Sequence, residues 1–264
     1  MSTNNTEQHP EYSKLADIYD AVMEDVDYEL WADYIDAIML EHHPNPVDIL
    51  ELACGTGSVA LFLDELECYN VMGTDKSSQM IQKAREKNKA MRCKVDFEVM
   101  DFLNLQLNQT FDAVFSVFDS INYLQNSDEV LTFLNETVSV LKPGGLLIFD
   151  FTTPKNSIQA IEYLNNEEGY TEDNYRYFRK SSYDAENQLH ENTFRIEKLA
   201  DDQESVVQQF SEVHQQRIYT LQQMLDIIDQ TAYNIRAKYS GFNFEEADDH
   251  SLRITMVLQC PSNQ

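Results

Sequence analysis

The chain has 264 residues, 46 acidic and 19 basic, for a formal net charge of −27. That balance excludes a nucleic-acid backbone or an anionic membrane surface as the main partner, because like charges repel. A hydrophobic share of 42% and a charged share of 25% exclude disorder over most of the length and fit one large domain, or one with a smaller appendage.

The start, Met1 to Pro10, is polar and lacks the apolar region of a secretory signal. No run approaches the roughly 18 apolar residues of a membrane helix. Cys54, Cys68, Cys93 and Cys260 form neither a C-x-x-C pair nor a zinc-ligand spacing, and no metal is expected. Small thiols of this kind suit a reducing cytoplasm. Tyr12–Leu40 is helical in pattern and rich in aromatics, and residues 1–46 read as an N-terminal helical segment.

From Pro46 onward, strands alternate with helices. Val47–Leu52 reads as a buried strand and Ser58–Leu66 as a helix. Tyr69–Thr74 is a second strand ending at Asp75, and Ser77–Ala90 a helix with Ser77 or Ser78 as its N-cap. The basic run Lys83, Arg85, Lys87, Lys89, Arg92 and Lys94 reads as a solvated face. Lys94–Met100 and Phe111–Phe118 are further strands. Ser127–Leu141 is a helix stopped by Pro143, and Leu146–Phe151 a fifth strand. This order predicts an α/β core over 47–154 with a parallel sheet covered on both faces.

The pattern changes after Pro154. Tyr175–Tyr183, Leu189–Leu199 and Val206–Tyr219 alternate polar and apolar residues, which predicts an antiparallel meander within 155–219. Leu221–Thr231 returns to helical periodicity. Tyr233–Tyr239 and Ser251–Cys260 read as closing strands, so 220–264 completes the main sheet.

Glu51-Leu-Ala-Cys-Gly-Thr-Gly57 lies directly after a strand and before a helix. Such a turn lets a ligand approach backbone N–H groups at a helix N-terminus. Gly55-x-Gly57-x-x-Ala60, with Asp75 about twenty residues on, also satisfies a dinucleotide-binding pattern, so an NAD-dependent oxidoreductase stays open. Glu51 before the turn, Met100-Asp101-Phe102 after the third strand and Leu141-Lys-Pro-Gly-Gly145 before the fifth resemble the class I S-adenosylmethionine (AdoMet)-dependent methyltransferases. The resemblance covers roughly Ile49–Phe151. It implies a Rossmann-like sheet of seven mostly parallel strands, AdoMet as cofactor and an antiparallel β insertion serving as lid.

By that resemblance, the turn from Glu51 through Ala53, Gly55 and Gly57 holds the methionine part of AdoMet. Asp75 accepts from the ribose hydroxyls, and Lys76 flanks the adenine. Asp101 meets the adenine amino group, Phe102 lines its edge, and Phe118 walls the methionine pocket. Tyr12-x-x-x-Ala16-x-x-Tyr19-Asp20, Asp27-Tyr28 and Trp31 are similar to the start of small-molecule enzymes such as glycine N-methyltransferases and amino-sugar N,N-dimethyltransferases. That likeness puts Tyr12, Tyr19 and Trp31 near the methionine end or the transferred methyl.

The acceptor is expected to be a small molecule methylated at nitrogen or oxygen, with an amine suiting the acidic charge. It would sit over the end of the fourth strand at Asp119, Asn122 and Tyr123, with Arg217 holding an acidic substrate group. His214 is the candidate proton acceptor because histidine titrates near neutrality, and Tyr19 is the second catalytic candidate. A non-catalytic AdoMet-binding protein is the remaining alternative.

Overall fold

The computed structural model describes residues 7–8, 12 and 14–262; most of the polar stretch Met1–Pro10 lies outside them. The chain opens with a two-residue strand, β1 (Glu7–Gln8), a 3-10 turn (Leu15–Asp17) and a short helix, α1 (Tyr19–Val22). The longer α2 (Tyr28–His42) follows. The helical pattern expected over Tyr12–Leu40 is thus divided among three pieces. Asp27 caps α2, its side chain accepting from the Leu30 N–H at 2.9 Å, and such a cap begins a new helix rather than extending an old one.

The core alternates as β2 (Asp48–Leu52), α3 (Ser58–Glu65), β3 (Asn70–Asp75), α4 (Ser78–Met91), β4 (Asp96–Val99), β5 (Phe111–Ser116), α5 (Ser127–Val140) and β6 (Leu141–Thr152). Ser77 caps α4 through the Met80 N–H. Pro143 does not stop α5. The helix already ends at Val140, and Pro143, Gly144 and Gly145 lie inside β6. There the pairing with β5 jumps from Phe111↔Leu141 to Ala113↔Leu146. A Cβ on Gly145 would stand 3.0 Å from the Asp112 carbonyl oxygen, so the bulged strand needs glycine for close approach.

Next comes a helix that the hydrophobic pattern does not announce, α6 (Pro154–Leu164). Thr153 caps it, and Pro154 occupies the first helical position, where a missing N–H costs nothing. The remaining elements are β7 (Glu167–Tyr170), β8 (Tyr175–Asp184), β9 (Leu189–Leu199), β10 (Val206–Arg217), α7 (Leu221–Ile228), β11 (Asn234–Ser240) and β12 (Arg253–Gln259).

Seven strands form the main sheet in the order β11-β12-β6-β5-β2-β3-β4. It is parallel from β6 to β4, while β12 and β11 pair antiparallel. Buried side chains cover both faces. Leu50, Val114, Leu147 and Phe149 pack toward α5 and α7, and Ile49, Ala113, Phe115 and Ile148 toward α2 and α3. The chain order reverses between β2 and β5, which opens a crevice beyond the strand ends.

The second sheet runs β1-β10-β9-β8-β7. Its four antiparallel strands are the expected meander plus β7, and β1 adds a parallel edge. A small core of Leu15, Ile18, Tyr177, Phe194 and Ile196 fastens the N-terminal segment to this sheet. The segment therefore bridges the two sheets across the crevice. Among the described residues, no helix is long and apolar enough to cross a membrane.

Candidate active site

The turn after β2 is built from unusual dihedrals. Ala53, Gly55 and Gly57 all have positive φ, at +52°, +55° and +78°. The two glycines serve different ends. A Cβ on Gly57 would meet the Phe97 ring at 2.5 Å, so this glycine lets the turn pack on β4. A Cβ on Gly55 would meet nothing within 4 Å, so this glycine borders open space. Asp75, at the end of β3, accepts from the Gly55 N–H (3.0 Å) and the Ser77 N–H (2.7 Å). It ties the turn to the start of α4, and burial raises its pKa. Glu51 is 3% exposed and accepts from the Ala60 N–H at 2.9 Å. Burial pushes its carboxyl up to about 8.

Glu51, Gly55 and Asp75 line a cavity of about 250 Å³, while Gly57, expected to meet the cofactor, is turned to the Phe97 ring and does not line it. Ala53, Lys76, Asp101, Phe102 and Phe118 complete its wall, as do Tyr12 and Tyr19 of the N-terminal segment. The Asp101 carboxylate also accepts from the Leu103 N–H at 2.9 Å. Phe118 and Asp119 sit in the left-handed region, with φ of +60° and +50°. This strained pair re-aims the chain at the end of β5, the kind of place where strain accompanies a site.

A larger chamber of about 720 Å³ adjoins the first. Tyr12, Tyr19, Phe118 and Tyr123 line both, so they form the wall between them. Asp119 and His214 face the second chamber. Trp31 lines this chamber as well, against Phe118 of the dividing wall with ring centroids 4.5 Å apart, and does not line the first cavity.

Two expected substrate contacts fall outside both cavities. Asn122 is fully buried, donates to the Arg217 and Thr152 carbonyls (2.8 and 3.4 Å), and accepts from the Thr152 N–H (2.9 Å). Its amide is consumed in joining β6 to β10. The Arg217 guanidinium donates to the Asn187 carbonyl and the Gln188 side chain, so it closes the β8–β9 turn instead of reaching a ligand. Tyr19 lies on the dividing wall, but burial holds its hydroxyl well above 10, so it stays a neutral phenol.

Several site groups were not foreseen. Arg253 of β12 donates to Asp119 at 2.6 Å and also pairs with the fully buried Asp150. Gln216 donates to the other Asp119 oxygen at 2.6 Å. Asp119 is thereby fixed as part of a charged floor. The basic run on α4 is not merely solvated. Arg85 donates to the Phe97 carbonyl, and Lys87 Nζ reaches Ser58 Oγ (2.7 Å), Thr56 Oγ1 (3.0 Å) and Asp20 (3.2 Å). Thr56 donates to Asp20 at 2.6 Å, so the N-terminal segment is latched to the Gly-rich turn.

One chain of contacts spans the wall. The Tyr12 and Tyr123 hydroxyls are 2.6 Å apart, and the Tyr123 hydroxyl is 3.2 Å from His214 Nδ1. His214 Nε2 lies 3.4 Å from Glu212 Oε2. The other Glu212 oxygen accepts from the Lys14 and Leu15 N–H groups, the latter at 3.0 Å. Glu212 was invisible beforehand because it is one acid among many in an alternating strand.

Residues 49–145 match a family model described as a methyltransferase domain. A putative methyltransferase of Bacillus subtilis, YqeM, is 26% identical over 94% of this chain and 96% of its own length. The crystal structure of an S-adenosylmethionine-dependent methyltransferase from Clostridium acetobutylicum superposes with a TM-score of 0.76 at 27% identity, covering 95% of this chain and 99% of that one. The sugar N-methyltransferase KedS8 from a Streptoalloteichus species shares the fold, with a TM-score of 0.74 at 17% identity over 100% of this chain and 99% of that one.

Proposed function

Because this chain belongs to the class I S-adenosylmethionine-dependent methyltransferases, we propose that it moves the methyl group to nitrogen of a small amine held in the larger chamber. The observation that carries this reading is the pair of cavities meeting at one wall, with the cofactor-type groups on one side and ionisable groups on the other.

The first cavity suits the cofactor. Gly55 leaves room at the turn. Glu51 is a buried carboxyl with its pKa pushed up to about 8, a group that a ligand's ammonium would relieve. Glu51 and the turn would hold the methionine end. Asp75 would take the ribose hydroxyls, and Lys76, Asp101 and Phe102 the adenine. When bound, AdoMet supplies a methyl group on a positively charged sulfur, already a strong electrophile. The protein's part is to orient the acceptor, exclude water and remove a proton when the acceptor arrives as an ammonium. Trp31 and Phe118 give the chamber an apolar wall. Asp119 and Asp150 around the single Arg253 leave the chamber floor with an excess of negative charge, and His214 is the proton acceptor. The free cysteines suit a cytoplasmic enzyme.

Incubating the chain with AdoMet and panels of small amines, hydroxy compounds and acids tests this. Release of S-adenosylhomocysteine with amines supports the reading. Release with hydroxy compounds alone would move the transfer to oxygen, and nicotinamide-dependent turnover without methyl transfer would overturn it.

A further inference from the structure

We propose that Glu212 is a positioning residue that fixes His214 as a proton acceptor, with Tyr12 and Tyr123 carrying the proton to it across the wall between the cavities. The proposal rests on the amine reading above and adds to it how the acceptor loses its proton.

The orientation of the whole chain follows from its buried end. Glu212 is fully buried. Burial alone would raise its pKa, but His214 and the Lys14 and Leu15 N–H groups outweigh that and hold it below the ordinary glutamate range. It is therefore a carboxylate, an acceptor only. His214 Nε2 faces it at 3.4 Å, a charge contact without hydrogen-bond geometry, and the carboxylate's field favours the ring proton on Nε2 in the neutral imidazole. Nδ1 is then left as an acceptor. The Tyr123 hydroxyl, at 3.2 Å, donates to Nδ1 and so accepts from Tyr12 at 2.6 Å. With its own proton committed to Tyr123, Tyr12 presents oxygen lone pairs at the wall, where both cavities meet.

The proton count closes without any further reagent. An N–H bond of the acceptor ammonium breaks, and its electron pair stays on nitrogen as the nucleophilic lone pair. The proton goes to the Tyr12 oxygen as the Tyr12 proton moves to Tyr123 and the Tyr123 proton to Nδ1. Both phenols end neutral and the imidazole ends as imidazolium beside the Glu212 carboxylate. Neither tyrosine needs to ionise, which agrees with the burial that raises the Tyr12 pKa well above 10.

Glu212 also joins this relay to the N-terminal segment. One oxygen faces the imidazole and the other holds the Lys14 and Leu15 N–H groups. Tyr12 lies only two residues before Lys14. The relay is thus complete only when that segment is docked, the same state in which the cavities are covered. The groups packed directly on His214 are Glu212, Tyr12, Tyr123 and Phe194. Across the chamber lie His190, Arg179, Glu167, Asp119 and Arg253; Asp119 pairs with Arg253, Arg179 with Glu167, and His190 Nε2 lies 2.7 Å from Ser181 Oγ.

Nitrogen-15 NMR of the imidazoles in the full chain reads the key step without any substrate, with His214 assigned by the signal lost in His214→Asn. The native chain is expected to show the Nε2–H tautomer. Glu212→Gln keeps an oxygen for the segment but turns an amide N–H toward His214, so it should switch the ring to Nδ1–H. Its affinity for S-adenosylhomocysteine should stay within about twofold of native. Tyr123→Phe, which leaves Glu212 in place, should keep the native tautomer. With an amine acceptor, both variants should lose at least about 100-fold in the single-turnover rate of methyl transfer below the acceptor's own pKa, the scale of general-base loss. The deficit should shrink as the pH passes that pKa, since the amine then arrives deprotonated. A native Nδ1–H tautomer, an unchanged tautomer in Glu212→Gln, or a deficit that does not vary with pH would each overturn the relay. Failure of every amine with the native chain would instead strike the amine reading, while the tautomer experiment still decides the positioning role.

Discussion

Asp75 and Glu51 show how two buried carboxyls in one cavity take different parts. Asp75 accepts two backbone hydrogen bonds that shape the turn. Asp75→Ala should therefore weaken S-adenosylhomocysteine binding by about 1–3 kcal/mol, the scale for hydrogen bonds to a charged group; calorimetric titration of a folded variant checks it, and native affinity would displace the ribose from Asp75. Glu51 has a single backbone donor and a pKa raised from 4.5 to about 8. Between those values the unfolded chain carries the charge and the folded chain does not. The group thus costs stability as pH rises from 4.5 toward 8. An ammonium bound beside it favours the carboxylate, so ligand binding should release a proton below about pH 8 and tighten as pH rises toward it. Titrations in two buffers of different ionisation enthalpy measure that release. These acids could be read in the sequence because each ends a strand or flanks the glycine turn. Arg253 could not, because its partners Asp119 and Asp150 lie more than a hundred residues away, nor could Glu212, whose tie to the Leu15 N–H spans nearly two hundred.

At the scale of elements, the Gly-rich turn works because α3 and α4 approach it closely. Gly57→Ala would force a Cβ to within 2.5 Å of the Phe97 ring at a φ of +78°. It should destabilise the fold by about 1–3 kcal/mol, the range for a strained backbone residue; urea unfolding checks this, and an unchanged midpoint would mean that the ring yields freely. The alternating elements of the sheet were legible because each apolar run is bounded by glycine, proline or an acid. Helix α6 was not, since Pro154 reads equally as a break or as a first helical residue and only Ser157 and Ala160 are buried along it. The division of the N-terminal helical stretch was not legible for the converse reason: aromatics recur at helical spacing on both sides of the Asp27 cap. Asn122 and Arg217 looked like ligand contacts because a polar side chain beside a site has the same appearance in sequence whether it meets a substrate or a backbone carbonyl.

For the whole molecule, a charge of −27 opposes compaction through self-repulsion and draws cations toward the cavities. Salt screens both effects. The thermal midpoint should climb from low to high salt while AdoMet affinity falls; an affinity flat across ionic strength would remove long-range attraction from the account. The charge first served to exclude polyanionic partners. The cavities give a few of the acids specific places, at Glu51, Asp75 and Asp101 on one side and Asp119 on the other. The latch joining Asp20, Thr56 and Lys87 has a consequence for tempo. Tyr12 and Tyr19 belong to the walls of both cavities, so release of that segment would uncover both together. The expected outcome is a rapid first cycle followed by slower ones in quenched-flow experiments, with the slow phase hastened in Lys87→Met and the first cycle untouched.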